Sequence, residues 1–249
     1  MLTIGSCFSG IGGLELGLEW TGGFETKWQI ENDPYATSVL QKHWPKVQRF
    51  SDIRDVIQPP AVDLICGGFP CQPFSLAGTR GGETDGRNLW PYMFRIIRHV
   101  RPRFALLENV PGLLSLGFGR VLGDLSEIGY DAEWSIISAC SVGAPHSRER
   151  LFVIAYPASK RGKVFSSQDE FRDTAKRDSE NGAFEKWSAW NDSIVGLRME
   201  VFRRAGESGV HGISARVQDQ SHRLRCLGNA VVPQVAQKIG EMILNFERR

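Results

Sequence analysis

Over its first 156 residues the chain alternates short apolar runs with stretches of helical period, and this alternation limits its fold more than any other feature. The apolar runs Leu2–Phe8, Lys27–Glu31, Val62–Cys66, Phe104–Glu108, Trp134–Ala139 and Leu151–Tyr156 read as strands. Tyr35–His43, Leu89–Val100 and Val121–Ile128 read as helices between them. Strand–helix alternation predicts an α/β fold, an open and mostly parallel sheet covered by helices on both faces. Ligands of such sheets bind beyond the carboxyl ends of the strands. Phe8, Glu31, Cys71 and Glu108 all fall at or just beyond such ends.

The pattern breaks near Pro157. Residues 158–222 are rich in Ser, Arg, Lys, Asp, Glu and Gly and have no clear apolar period, which suggests a small insertion with long loops. Order resumes at Arg223–Pro233 and continues in an amphipathic helical pattern through Val235, Ile239, Met242, Ile243 and Phe246. The expected organisation is therefore 1–157 as a catalytic and cofactor-binding domain, 158–222 as a small recognition region, and 223–249 as a segment returning to the first domain. Residues 1–156 carry a net charge of −2 and residues 157–249 one of +4, within the chain's overall +2. This asymmetry fits a second part facing nucleic acid and fits random scatter about equally well.

Five cysteines (Cys7, Cys66, Cys71, Cys140 and Cys226) are scattered without a Cys-x-x-Cys pair, which argues against a zinc site or a disulfide framework and fits a reducing cytoplasm. No metal is expected. No apolar run approaches the roughly 20 residues of a membrane span, and no basic segment precedes an apolar one at the N-terminus, so neither a membrane anchor nor a signal peptide is expected.

The first strand runs into Phe8-Ser-Gly-Ile-Gly-Gly-Leu-Glu15. Glycines at 10, 12 and 13 permit a tight turn and a close backbone approach to a ligand. The dinucleotide fingerprint has a third glycine where this chain has Glu15. A carboxylate there would repel a pyrophosphate. A cationic ligand would tolerate it, and S-adenosylmethionine carries a sulfonium and an ammonium. Glu31 lies about 20 residues on, placed to accept hydrogen bonds from ribose hydroxyls. Asp52, beyond a third strand, is placed to take an adenine amino group. Alone, the glycines read equally well as a plain turn.

The segment Cys66-Gly-Gly-Phe-Pro-Cys-Gln-Pro-Phe-Ser75 is the most informative. Two glycines and two prolines make a fixed, irregular loop that holds Cys71 at the sheet edge. A nucleophilic cysteine needs that partial exposure together with local positive potential.

This loop resembles the Pro-Cys-Gln loop of the cytosine-5 DNA methyltransferases, and the order of the other motifs resembles theirs too. Phe8–Gly13 is similar to the first cofactor motif, Glu31 to the ribose-binding acid and Asp52-Ile53 to the adenine-contacting pair. Glu108-Asn-Val110 is similar to the Glu-Asn-Val motif, His146-Ser-Arg-Glu-Arg150 to the Gln-x-Arg-x-Arg segment, and Gly228-Asn-Ala-Val231 to the last cofactor-side motif. His146 stands where the family usually has Gln, and Ala230 where many members have Ser. The recognition region is short for the family.

The resemblance implies a Rossmann-like S-adenosylmethionine-dependent methyltransferase sheet with a small inserted target-recognition domain. It implies transfer of a methyl group to carbon 5 of a flipped-out cytosine in duplex DNA. Cys71 would be the nucleophile, Glu108 the proton donor to N3, and Arg150, with Arg148 second, the group holding O2. Phe8, Ser9, Gly10, Gly12, Gly13, Glu31, Asp52, Ile53, Asn229 and Ala230 would bind the cofactor. Gln72, Ser75, Arg80 and Arg87 would meet DNA, the last two in a glycine-rich loop, Ala77–Arg87, that reads as a lid. Arg198, Arg203, Arg204 and Arg216 are candidates for base reading. A monomer acting on DNA in the cytoplasm is the expected setting, either beside a separately acting cognate restriction endonuclease or in protection of a phage genome. A transfer-RNA cytosine-5 methyltransferase or a catalytically silent DNA-binding relative are the alternatives.

Overall fold

In a computed structural model of the chain, the described residues are 1–70, 88–144, 146–160, 162–165 and 220–248. Seven strands form one sheet: β1 (Leu2–Cys7), β2 (Phe24–Ile30), β3 (Gln48–Phe50), β4 (Leu64–Gly67), β5 (Phe104–Asn109), β6 (Tyr130–Ser138) and β7 (Glu149–Pro157). Their spatial order is β3-β2-β1-β4-β5-β7-β6. The pairs from β3 to β5 are parallel, whereas β7 runs antiparallel to both β5 and β6. The expected mostly parallel sheet is present. Short β3 lies just before Asp52, where a third strand was expected, though three residues leave too little period to fix its bounds from sequence.

The helices are α1 (Gly13–Trp20), α2 (Pro34–His43), α3 (Trp90–Val100), α4 (Phe118–Glu127), α5 (Gln220–Asn229) and α6 (Pro233–Glu247). Alternate strand residues point to opposite faces. Ile4, Leu64, Cys66, Phe104, Leu106 and Ile154 pack with Leu14 and Leu18 of α1 and Val235, Ala236, Ile239 and Ile243 of α6. Their neighbours Ile65, Ala105, Leu107 and Val153 pack with Met93, Ile96 and Ile97 of α3 and Val121 and Leu125 of α4. Each fully buried Leu or Ile contributes roughly 1.5–3 kcal/mol, so these two layers supply most of the favourable term.

Two local devices shape the ligand edge. The β1–β2 register shifts between Ile4 and Gly5, where the buried Trp28 ring occupies the space a Gly5 side chain would need. The first strand also ends one residue earlier than its apolar run, because Phe8 takes a φ of +56°. That left-handed conformation is costly for a residue with a Cβ and turns the chain out of the sheet.

Helix α6 brings the chain's last described residues back onto the sheet. It lies so close to α1 that a side chain at Gly17 would collide with the Pro233 carbonyl and the Ala236 methyl, and one at Gly13 with the Val231 carbonyl. Most of 158–222, the expected recognition region, lies outside the described residues. So do Cys71, Gln72, Ser75, Arg80, Arg87, the Ala77–Arg87 loop, and Arg198, Arg203, Arg204 and Arg216.

Candidate active site

The strand order reverses direction between β1 and β4, and a cavity of about 450 Å³ opens at their carboxyl ends. That is where an open α/β sheet binds its ligand. The cavity is lined by Phe8, Ser9, Gly10, Gly13 and Leu14 after β1, by Glu31, Asn32, Asp33 and Ala36 after β2, and by Gly68, Phe69 and Pro70 after β4. Glu108, Asn109 and Val110 line it from β5, Arg148 and Arg150 from the start of β7, and Arg225, Cys226, Asn229, Ala230 and Val231 from α5 and the turn after it.

Ten of the expected site residues thus share one cavity: Phe8, Ser9, Gly10, Gly13, Glu31, Glu108, Arg148, Arg150, Asn229 and Ala230. Gly12, Asp52 and Ile53 are not among its lining residues. Gly12, at φ +86°, backs against the Trp44 ring instead. Asp52 turns to Arg54, accepting from its Nε at 3.0 Å and its Nη2 at 2.6 Å. Those hydrogen bonds hold its carboxyl below the usual carboxylate range. Ile53 is buried in the layer under α3 and α4. Glu15, expected to face a cationic ligand, is instead wholly buried on α1, where the Gln29 amide donates to it at 3.4 Å.

The upper part of the cavity fits a nucleoside-bearing cation. Gly10 has φ +56° and nothing within 4 Å of where a Cβ would stand, so the backbone is open to a ligand there. Its N–H donates to Glu31 Oε2 at 2.7 Å, and Glu31 Oε1 accepts from the Asp33 N–H at 2.8 Å. These two bonds fix the Glu31 carboxylate and leave each oxygen a further lone pair for vicinal hydroxyls. Phe8, Leu14 and Val231 offer the apolar surface a base would stack on.

The lower part centres on Glu108 at the end of β5. Its Oε1 lies 2.9 Å from Arg150 Nε. Burial pushes the Glu108 carboxyl above its ordinary range, while Arg150 and Arg148 pull the other way. Arg148 and Arg150 stand two apart in extended chain, so their side chains emerge on one face. Gly68 lies against Glu108, since a Cβ there would stand 2.5 Å from Oε2. Asn109 Nδ2 donates to the Phe69 carbonyl at 2.9 Å, and its Oδ1 accepts from the Val110 N–H at 2.9 Å. Asn109 thereby fixes the backbone leading to Cys71. It stood inside the Glu-Asn-Val motif, yet sequence reasoning assigned it no role. Asp33, Arg225 and Cys226 also line the cavity without a sequence signal of their own.

The sheet order and the cavity at its switch point are those of the α/β class that binds a nucleoside-bearing cofactor beyond the strand ends. Residues 2–193 match the family model of the C-5 cytosine-specific DNA methylases, and the chain belongs to that family. It is similar to the Type II methyltransferase M2.BsuMI of Bacillus subtilis, at 38% identity over 66% of this chain and 44% of the relative. It is also similar to the Type II methyltransferase M.Bsp6I of a Bacillus species, at 34% identity over 67% of this chain and 56% of the relative. The chain therefore spans about half the length of the curated relatives it matches. In fold it resembles the crystal structure of a DNMT2 variant from Spodoptera frugiperda, with a TM-score of 0.66 at 17% identity over 98% of this chain and 100% of that one.

Proposed function

We propose that the chain methylates carbon 5 of cytosine in duplex DNA, with Cys71 as the covalent nucleophile. The observation that carries this reading is the sharing of one cavity by the Glu108–Arg150 pair, the Gly68–Pro70 lead-in to Cys71, and the Phe8–Glu31 cofactor wall.

Carbon 5 of cytosine is a weak nucleophile. The Cys71 thiolate adds to carbon 6, forming an S–C bond, and the ring π electrons shift toward carbon 5 and N3. Burial favours the neutral form of the Glu108 carboxyl, and from that form it gives its proton to N3. Arg150 orients that carboxyl and donates to the cytosine O2. S-adenosylmethionine, when bound, supplies the methyl group that carbon 5 takes. A base then removes the carbon-5 proton, that electron pair re-forms the carbon 5–carbon 6 double bond, Cys71 leaves carbon 6 as thiolate, and N3 returns its proton to Glu108. Asn109 holds the Phe69 backbone so that the nucleophile's loop starts from a fixed point.

A stacked cytosine cannot offer carbon 6 to a thiol, so the target base leaves the helix. Residues 158–222 form the target-recognition region in this reading, with Arg198, Arg203, Arg204 and Arg216 as base or phosphate contacts and Gln72, Ser75, Arg80 and Arg87 beside the flipped base. The relatives' Type II naming supports a role beside a restriction endonuclease. The chain acts as a monomer in the cytoplasm, and no described helix is long and apolar enough to cross a membrane.

A duplex containing 5-fluorocytosine tests the reading. The carbon-5 fluorine cannot leave as a proton does, so the native chain is trapped as a covalent adduct while Cys71→Ala stays free. Trapping of Cys71→Ala at native levels overturns the assignment. Bisulfite sequencing of DNA from cells expressing the chain reads the methylated site, and exchange of 158–222 for a relative's region should change that site.

A further inference from the structure

We infer that Asp33 and Arg225 form a latch that holds helix α5 against the cofactor wall and thereby sets how long the cofactor stays bound. The inference rests on reading the cavity as the S-adenosylmethionine pocket. Arg225 Nη2 lies 2.7 Å from Asp33 Oδ2, joining residues 192 apart in the chain, and both line the cavity.

Asp33 is held from its other side. Its Oδ1 accepts the N–H groups of Tyr35 at 2.9 Å and Ala36 at 3.0 Å, which caps α2. The carboxylate cannot rotate toward another partner without uncapping the helix, so it presents a fixed acceptor to Arg225. The Asp33 N–H donates to Glu31, and Glu31 accepts from Gly10. An unbroken polar chain, Gly10–Glu31–Asp33–Arg225, therefore runs from the glycine loop to α5.

Among the described residues helix α5 has few other attachments. Ser221, His222, Leu224 and Arg225 are exposed, while Cys226 is buried and the half-buried Leu227 packs against the same core. The His222 ring meets Tyr35 at 5.7 Å between centroids, and its Nδ1 lies 3.2 Å from Arg225 Nη2. Arg148 Nη1 donates to the Gly228 carbonyl near the far end. Both apolar anchors, Cys226 and Leu227, lie in the second half of the helix, so the placement of its first half draws on its polar ties. Asn229 and Ala230, one turn beyond Arg225, reach the cavity only while those ties hold. Asp33 and Arg225 are thus positioning residues.

The test is S-adenosylmethionine binding by calorimetry, with its dissociation rate by stopped flow, on the full chain and on D33N, R225Q, D33N/R225Q and R225E. The D33N side chain keeps an oxygen for the cap and loses the charge. Each neutralising change should weaken binding about threefold, the range of a half-exposed ion pair, through faster dissociation. The double variant should be no weaker than either single one, and R225E, which sets two carboxylates together, should lose more than R225Q. Additive losses would mean that Arg225 acts on the cofactor without Asp33, and equal affinities in all variants would mean that no latch exists. Either result overturns the inference. If D33N fails to fold, the R225Q and R225E comparison decides alone, and R225E no weaker than R225Q overturns it. Native chain that binds no S-adenosylmethionine refutes the pocket reading itself, whereas native binding with unaffected variants refutes the latch only.

Discussion

Arg150 Nε lies 2.9 Å from Glu108 Oε1 in an ion pair, placing a permanent cation against a carboxyl that burial drives toward its neutral form. The two effects oppose each other, and burial wins. The arrangement suits a proton donor, because the guanidinium also stabilises the carboxylate left after the proton has gone.

Glu108→Gln keeps shape and burial but has no proton to cycle. Turnover should fall by about 10²–10⁴-fold, the range for acid–base groups, with S-adenosylmethionine affinity retained. Arg150→Ala removes the larger of the two charge interactions that lower the Glu108 pKa. The alkaline limb of the kcat profile, where the donor loses its proton, should then move to higher pH. A lowered kcat with an unmoved limb would mean that Arg150 acts on the substrate and not on Glu108.

Phe8 is a left-handed non-glycine residue lining the cofactor cavity. Phe8→Ala and Phe8→Gly both remove the ring, so both should weaken S-adenosylmethionine binding in calorimetry to a similar degree. They should differ in stability. Glycine relieves the left-handed strain, so Phe8→Gly should unfold with about 1 kcal/mol more resistance than Phe8→Ala. Equal stabilities in urea would remove the strain argument. Native cofactor affinity in both variants would remove Phe8 from the pocket's binding surface.

What could be read from the chain, and what could not, follows from how local each signal is. Phe8, Glu31 and Glu108 were legible because an apolar run names its own end, and strand ends in this topology face the ligand. The expectation for Cys71 rests on the glycines and prolines in the sequence around it and lies outside the described residues. Glu15 was misread for lack of helix phase. It lies three residues beyond Gly12, and with α1 starting at Gly13 that offset turns it into the protein interior. Asp52 does follow a third strand, but its neighbour Arg54 captures it within two residues. The Asp33–Arg225 pair was invisible because nothing local marks an ion pair between residues 192 apart.

The α1–α6 contact gives a paired stability test. Gly17→Ala drives a methyl into the Pro233 carbonyl and Ala236, and forced overpacking of this kind costs about 1–3 kcal/mol. Gly123 lies on the exposed side of α4 with nothing within 4 Å of its Cβ position. Gly123→Ala should stabilise by about 0.5–1 kcal/mol, because the unfolded chain loses freedom at no steric cost. Thermal unfolding of the two variants should therefore shift in opposite directions. A shift of the same sign in both would contradict the close helix approach.

Glu15 adds its own pH dependence to the fold. Burial pushes its carboxyl up to about 7 from the ordinary 4.5, against the pull of the neighbouring Ser6 and Ser9 hydroxyls. A raised acid pKa means that the folded chain holds a proton the unfolded chain releases. Its contribution is complete below about pH 4.5 and is lost as the pH rises to about 7, with little further change above. The loss across that window is about 3 kcal/mol, at roughly 1.4 kcal/mol for each pH unit between the unfolded and folded pKa values. Glu15→Gln removes this titration and keeps the shape. Its urea stability should fall less steeply than the native chain's between pH 4.5 and 7, and should exceed it above pH 7. Glu108, also raised, remains in both proteins, so the difference between the two curves isolates Glu15. Parallel curves would show that Glu15 titrates alike in the folded and unfolded states, and that the Gln29 and serine contacts hold it charged.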